Sequence, residues 1–288
     1  IRELRDDLPQ GFYRQLPKLA AGPLAAYPRV FGLAWAFVAH TDSHFDPQTL
    51  CHYVRAYQRV QPLTIGELWA VPIALRLVLI ENLRRGAERI ISSRAARQEA
   101  DALADRLLGI GGSPSEPAAA ALRPLDGGFL SPAFAMQLVQ RLRDQDPKVT
   151  PALRWLDERL AAQGTTADVI VREEHQRQVS MNVTVRNIIT SMRLISAVDW
   201  AEIFESVSLV DTALRADSEF AAMDFNTRDR YRHAIEALAR GSGCTELDVT
   251  HRAIHAAQRS AREAESAGGA SDRRRQDQRV VGLEALAP

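Results

Sequence analysis

The sequence predicts an all-α fold, an irregular multi-helix bundle of two helical subdomains joined by a Gly/Pro-rich linker. Three observations carry this reading. Apolar residues recur three and four positions apart through most of the chain, which is the period of one helix face. Helix-start signals stand before these runs, a capping residue followed by a proline or an acidic side chain. No strand-alternating segment of useful length interrupts them, and no repeat of fixed period is present.

The elements follow in order. Pro28 suits the first turn of a helix through Val30, Phe31, Ala34, Trp35 and Val38, because its fixed φ is already helical. Asp46-Pro47 is a second start signal, with Leu50, Val54 and Tyr57 on one face. Thr64-Ile65-Gly66-Glu67 has capping-box spacing, in which hydroxyl and carboxylate each satisfy an orphan backbone N–H. Leu68, Val71, Leu75, Val78 and Leu79 continue that helix, and Pro72 is expected to bend or delay it. Residues 94–108 carry the pattern on with Ala95, Leu103 and Leu107.

The stretch 109–130, "GIGGSPSEPAAAALRPLDGGFL", reads as a linker or a long ordered loop. Beyond it, Ser131-Pro132 starts one helix, and Pro151 lies in the first turn of another with Leu153, Leu156 and Leu160. Residues 165–197 are rich in Val, Ile and Thr, a composition that suits a strand. The spacing of Val185, Ile188, Ile189, Met192 and Ile195 favours a helix instead. Asp199 caps a helix through Ile203, Phe204, Val207 and Val210. A helix over 227–240 ends at Gly241, and Thr245 with Asp248 starts the last one, running to about Glu265. The expected division is 1–108 and 131–267 as helical subdomains, 109–130 as linker and 268–288 as a weakly ordered tail.

Composition narrows the function. Of 288 residues, 46% are hydrophobic and 25% charged, as in ordinary folded domains. Lys+Arg and Asp+Glu stand at 36 each, so the whole chain has no electrostatic pull toward nucleic acid. Lysine occurs only at Lys18 and Lys148, and so much arginine beside so much alanine reads as codon bias. Cys51 and Cys244 lie too far apart to suggest a disulfide framework, and a reducing compartment fits. The chain opens on Ile1 with no signal peptide visible, which suggests a piece cut from a longer protein. The most apolar segment, Leu68 to Ile80, contains Arg76 and is bounded by Glu67 and Glu81. A membrane span needs roughly 20 apolar residues, so this one is too short.

The residues with most chemical promise lie in "VAHTDSHFDP". On a continuous helix His40 and His44 would be i, i+4 neighbours, a spacing that holds zinc when a third ligand arrives. No HExxH glutamate lies between them, Asp42 points elsewhere, and the stretch is dense in residues that cap and end helices. Ser43 lacks the Gly-x-Ser-x-Gly elbow of a nucleophile. Asp144-Gln145-Asp146 is spaced like the metal-holding pair of glycosyltransferases, but it follows a helix rather than a buried strand. Gly109 to Gly112 lack the Lys-Ser/Thr of a phosphate loop, and Asn182-Val183-Thr184 matches a glycosylation acceptor only formally. Arg186, Arg193, Arg228, Arg230 and Arg232 with Asp224 and Asp229 read as charge-mixed faces, solvated or docked on a neighbour. On this reading no residue is assigned a catalytic, cofactor-binding or metal-binding role.

Four stretches carry a resemblance. "FYRQLPKLAAGPLAAYPRVFGLAWAFVAHTDSHFD" and "VRAYQRVQPLTIGELWAVPIALRLVLIENLRR" are similar to the N-terminal region of the cyclic β-1,2-glucan synthases. So are "HQRQVSMNVTVRNIITSMRLISAVDW" and "MDFNTRDRYRHAIEALAR", and together the motifs cover about residues 12–92 and 172–241. The resemblance implies a segment of a very large, multi-spanning inner-membrane enzyme of Gram-negative bacteria. Such an enzyme polymerises glucose from UDP-glucose in a membrane-embedded transferase domain with Asp-x-Asp machinery and a divalent metal. Downstream domains, one of them phosphorylase-like, then cyclise and trim the chain. None of those catalytic motifs matches a position here, and Asp144 and Asp146 lie outside the matching stretches. The segment is then expected to be cytoplasmic and non-catalytic, with no cofactor of its own. Its partners would be the transferase and membrane domains of the same polypeptide, and the growing glucan.

Two other classes compete. One is a metal-dependent helical enzyme centred on His40, Asp42 and His44, with Glu67 or Glu81 as a further ligand. The other is an oligosaccharide-binding module, which needs Trp35, Trp69, Trp155 and Trp200 exposed for stacking. Each tryptophan sits in an apolar helical pattern and is expected in the core.

Overall fold

The computed structural model describes residues 11–110, 117–143, 150–260 and 262–263. Asp144 and Asp146, Gly111 and Gly112, and the 268–288 tail lie outside the described residues. The fold is all-α. Among the described residues there is no strand, only an isolated antiparallel bridge between Lys18 and Pro28.

The helices are α1 (Phe12–Gln15), α2 (Arg29–His40), α3 (Pro47–Gln58), α4 (Ile65–Leu108), α5 (Ala118–Leu122), α6 (Pro132–Leu142), α7 (Thr150–Ala162), α8 (Ala167–Ala197), α9 (Trp200–Val207), α10 (Leu209–Asp217) and α11 (Phe225–Ser242). Residues 246–260 form α12. The chain makes two compact units. One takes 1–33, 47–73 and 198–288, the other 34–46 and 74–197.

In the first unit the capping box forms as expected. Thr64 N–H donates to Glu67 Oε2 at 3.0 Å and Glu67 N–H to Thr64 Oγ1 at 3.2 Å. The helix begins at Ile65 and passes through Pro72 without a break, so the proline does not delay it. Against its first turns pack Leu50 and Val54 of α3 and Phe204 and Val207 of α9, all buried. Trp69 stacks on Phe204 with ring centroids 4.5 Å apart. Gln58 ties α3 to α9 by donating to the Val207 carbonyl at 2.8 Å.

Two helix ends differ from expectation. The helix capped by Asp199 stops at Val207, because Ser208 turns extended and its hydroxyl accepts from Asp211 N–H, opening α10. Val210 therefore belongs to the next helix. The helix predicted over 227–240 runs Phe225–Ser242, capped by Asp224 at its start and by Gly243 rather than Gly241. Gly243 takes φ 69°, the left-handed conformation that a side chain disfavours.

In the second unit the core lies among the C-terminal half of α4, α5, α6, α7 and the start of α8. Leu103, Leu138, Leu142, Leu156, Leu160 and Ile170 meet there. Ala121, Leu122 and Leu130 join the same core. The part of the 109–130 stretch from Ala118 to Leu130 thus contributes to a core. The physical reason is its Ala-Ala-Ala-Ala-Leu run, which forms a short helix and buries two side chains. Gly86 marks close approach, since a Cβ there would stand 3.1 Å from Met181 Sδ of α8. No helix among the described residues is long and apolar enough to cross a membrane.

Candidate functional site

The His-Thr-Asp-Ser-His cluster resolves as a locked turn in the second unit. α2 ends at His40, and Asp42 and Ser43 both take positive φ, 47° and 63°. Two successive left-handed residues break the helical path, so His40 and His44 do not share a helix face. His40, Asp42 and His44 are exposed, while Ser43 is 1% exposed. Ser191 Oγ donates to the Ser43 carbonyl at 2.7 Å and accepts from Phe45 N–H at 2.8 Å. Asn82 donates to Ser43 Oγ at 2.7 Å. Asn187 and Thr184 donate to the Asp42 carbonyl and carboxylate at 3.0 and 2.8 Å.

Asp42 and Ser43 are thus tied to α4 and α8. Among the described residues no group of three or more His, Cys, Asp or Glu side chains is placed to hold a metal ion. Of the further ligands considered, Glu81 is engaged by Arg84 and then Arg85, whose hydrogen bonds hold its carboxyl down at about 2. Glu67 belongs to a buried pair described below. Ser191→Ala is expected to strand the Phe45 N–H and the Ser43 carbonyl. The cost is roughly 1–3 kcal/mol in urea unfolding, and a change under 0.3 kcal/mol would remove the clamp's structural role.

The first unit holds a charge box in which Arg228 and Arg232 meet Asp211 and Glu205, partners that the sequence did not single out. Arg232 has no exposed side chain. Its Nε and Nη2 donate to the two Asp211 oxygens at 3.0 and 2.6 Å, and Nη2 also reaches Glu205 at 2.7 Å. Arg228 and Arg215 meet Glu205 at 3.0 and 2.6 Å. Phe204, Phe225 and Phe220 surround the guanidinium, with ring centroids 5.0, 5.1 and 5.8 Å from its carbon. Burial alone would lower the Arg232 pKa, but the Asp211 and Glu205 hydrogen bonds overcome it and leave it above the ordinary value. Of the arginines read as solvated or docked on a neighbour, Arg232 is docked. Arg186, Arg193 and Arg230 are indeed exposed.

A cleft of about 460 Å³ opens in the same unit beside the first turn of α4. Arg29 lies at its base, donating from Nε and Nη2 to Glu67 at 2.8 and 2.5 Å and to the Pro62 carbonyl at 2.9 Å. The Glu67 hydrogen bond is the main reason the Arg29 pKa is raised. Glu236, Arg240 and Glu246 line the opposite side. A shallower depression of about 600 Å³ lies over Cys51, His52, Arg55 and Glu202. Arg55 there is spent on the Ser206 carbonyl at 2.8 Å. Both cysteines are free thiols.

All four tryptophans are half-buried rather than fully enclosed. Arg85 covers the Trp35 ring at 4.7 Å, Trp69 lies on Phe204, and Trp155 donates to Asp126 at 3.0 Å.

No family model matches the chain. Over 254 residues, 88% of the chain, it is 42% identical to the cyclic beta-(1,2)-glucan synthase NdvB of Rhizobium meliloti (strain 1021). The chain spans 9% of the length of that protein.

Proposed function

Because the chain corresponds to one segment of a cyclic β-(1,2)-glucan synthase, we propose that it works as a non-catalytic helical module within such a polypeptide. Its task is to dock on and steady, or regulate, the transferase domain that builds cyclic β-1,2-glucan from UDP-glucose. It does so on the cytoplasmic face of the bacterial inner membrane. The nucleotide sugar and the divalent metal belong, in this reading, to the downstream domain.

The observation that carries the proposal is how the buried ionisable groups are used. Arg29 with Glu67, and Arg232 with Asp211 and Glu205, are closed into ion pairs that join helices. A buried group held this way is tied to its structural partner and is poorly disposed to exchange protons with a substrate. α4 and α8 also leave apolar side chains exposed among their charged ones. Val179 and Ile91 are 65% and 67% exposed, with Val183 and Ile90 beside them in sequence. Exposed apolar side chains on helices suit contact with another domain.

The test uses the full-length synthase. Val179→Lys with Val183→Lys changes only exposed positions, so the melting temperature of the segment should hold within the range of ordinary surface substitutions. Glucan synthesis in membranes should fall, and removal of the segment should abolish chain initiation, elongation or ring closure. Transfer or hydrolysis of glucosyl groups from UDP-glucose by the isolated segment would overturn the reading. Unimpaired synthesis after removal would do the same.

A further inference from the structure

Helix α12 buries Thr250 and Ile254, with Glu246, Leu247, Val249 and Gln258 half-buried beside them. The Thr245–Asp248 box fixes its first turn, with Asp248 N–H donating to Thr245 Oγ1 at 3.1 Å and Thr245 Oγ1 to Asp248 at 2.7 Å. That leaves Glu246 pointing across the cleft, where its Oε2 accepts from Ile65 N–H, the first residue of α4, at 2.7 Å.

The surrounding charges do not balance. Glu67 accepts from Arg29 Nε and Nη2, and Glu236 takes Arg240 at 2.8 Å along α11. Three carboxylates therefore face two guanidiniums, and Glu246 is the one left over. We propose that Glu246 is a proton-sensitive latch that holds α12 against the N-terminal end of α4.

The titratable and charged groups facing it are Glu67 from α4, Arg29 from α2, Glu236 and Arg240 from α11, and Cys244 in the preceding turn. Burial, with repulsion from Glu236 and Glu67, pushes the Glu246 carboxyl up to about 7, against the pull of the Ile65 N–H and Arg240. The sign follows from linkage. A carboxyl whose folded value is raised binds protons more tightly when docked. Its contribution is fully present below its ordinary value of 4.5 and is lost as pH rises through about 7. Protonated, Glu246 keeps its carbonyl oxygen on Ile65 N–H and gains an O–H for a neighbouring carboxylate. Ionised, it adds a third negative charge to the cleft beside Glu67 and Glu236, and α12 loosens.

The experiment is amide hydrogen exchange on the whole chain, corrected for intrinsic base catalysis, together with a carboxyl ¹³C titration of Glu246. Protection of amides in 250–260 should fall by about tenfold between pH 6 and pH 8, each unit of displaced pKa being worth about tenfold. Glu246→Gln keeps the acceptor and removes the proton, so its protection should be flat over that range. Glu246→Ala loses the acceptor and should be less protected at both pH values. The latch is overturned if Glu246→Gln shows the same fall as the parent, or if the parent is flat. A Glu246 titration midpoint near the ordinary carboxylate value would also overturn it.

Discussion

Replacing Arg232 by methionine is expected to destabilise the protein by roughly 3–5 kcal/mol, the usual cost of removing one partner from a buried ion pair. Asp211 is fully buried and would keep only its Ser208 contact and the more distant Arg215 at 3.8 Å. Glu205 would retain Arg228 and Arg215, so the orphaned charge is Asp211, and the penalty is its desolvation. Because the pair lies away from solvent, salt should change this loss little. Arg232→Lys tests the geometry separately. An ammonium has no planar fork to span both Asp211 oxygens and no flat face for Phe204 and Phe225. It should recover only part of the loss. Urea unfolding of the two variants checks both statements. Equal stability of Arg232→Met and the parent would mean that the box is not closed in solution.

Arg232 also shows where sequence reasoning stops. The run from Asp224 to Arg232 alternates charges, and read as composition it is a solvated face. Read by spacing, Arg232 heads the series Arg232, Ile235, Ala239, all buried on one face of α11. That offset was the available signal. Its partners, Asp211 and Glu205, lie 21 and 27 residues earlier, and no local pattern pairs them. Local chemistry was legible by contrast. The Thr64–Glu67 and Thr245–Asp248 boxes, Ser131-Pro132 and the Asp199 cap each act over three residues, and each forms as read. The turn at Asp42 and Ser43 was legible as a helix stop, but its anchors on α8 lie about 145 residues away in sequence. Gly and Pro in 109–130 marked a loop and said nothing of whether its Ala118–Leu122 run is buried, as Ala121 and Leu122 are. Gly241 and Gly243 are equal candidates for a C-cap until the last turn of α11 is placed. Site chemistry fared like the charge box, since Glu246 gains its character from groups on three other helices.

Glu67→Gln is the second large effect, because that one carboxylate serves two purposes. It is the N3 residue of the capping box and, among the described residues, the only carboxylate bound to Arg29, and its side chain is 0% exposed. An amide keeps the shape and one acceptor, so the Thr64 N–H remains satisfied. It presents an NH₂ to a guanidinium that already carries a positive charge, and Arg29, 8% exposed, keeps the Pro62 carbonyl and Tyr57 but no carboxylate among the described residues. The expected cost is again roughly 3–5 kcal/mol, nearly all of it from the unpaired cation. Thr64→Ala removes only the capping hydroxyl and should cost about 0.5–2 kcal/mol. The difference between the two separates pair from cap. Removing both charges should be milder than removing one, so Arg29→Met with Glu67→Leu should recover a large part of the Glu67→Gln loss. Urea unfolding of these three variants with the Arg29→Met and Glu67→Leu single changes forms the test, and an additive double variant would show that the two side chains do not act as a pair. The same set reaches the latch, since Glu67 is one of the charges that raise Glu246. Glu67→Gln should lower the Glu246 titration midpoint even as it weakens the fold, a shift that loss of packing alone does not produce.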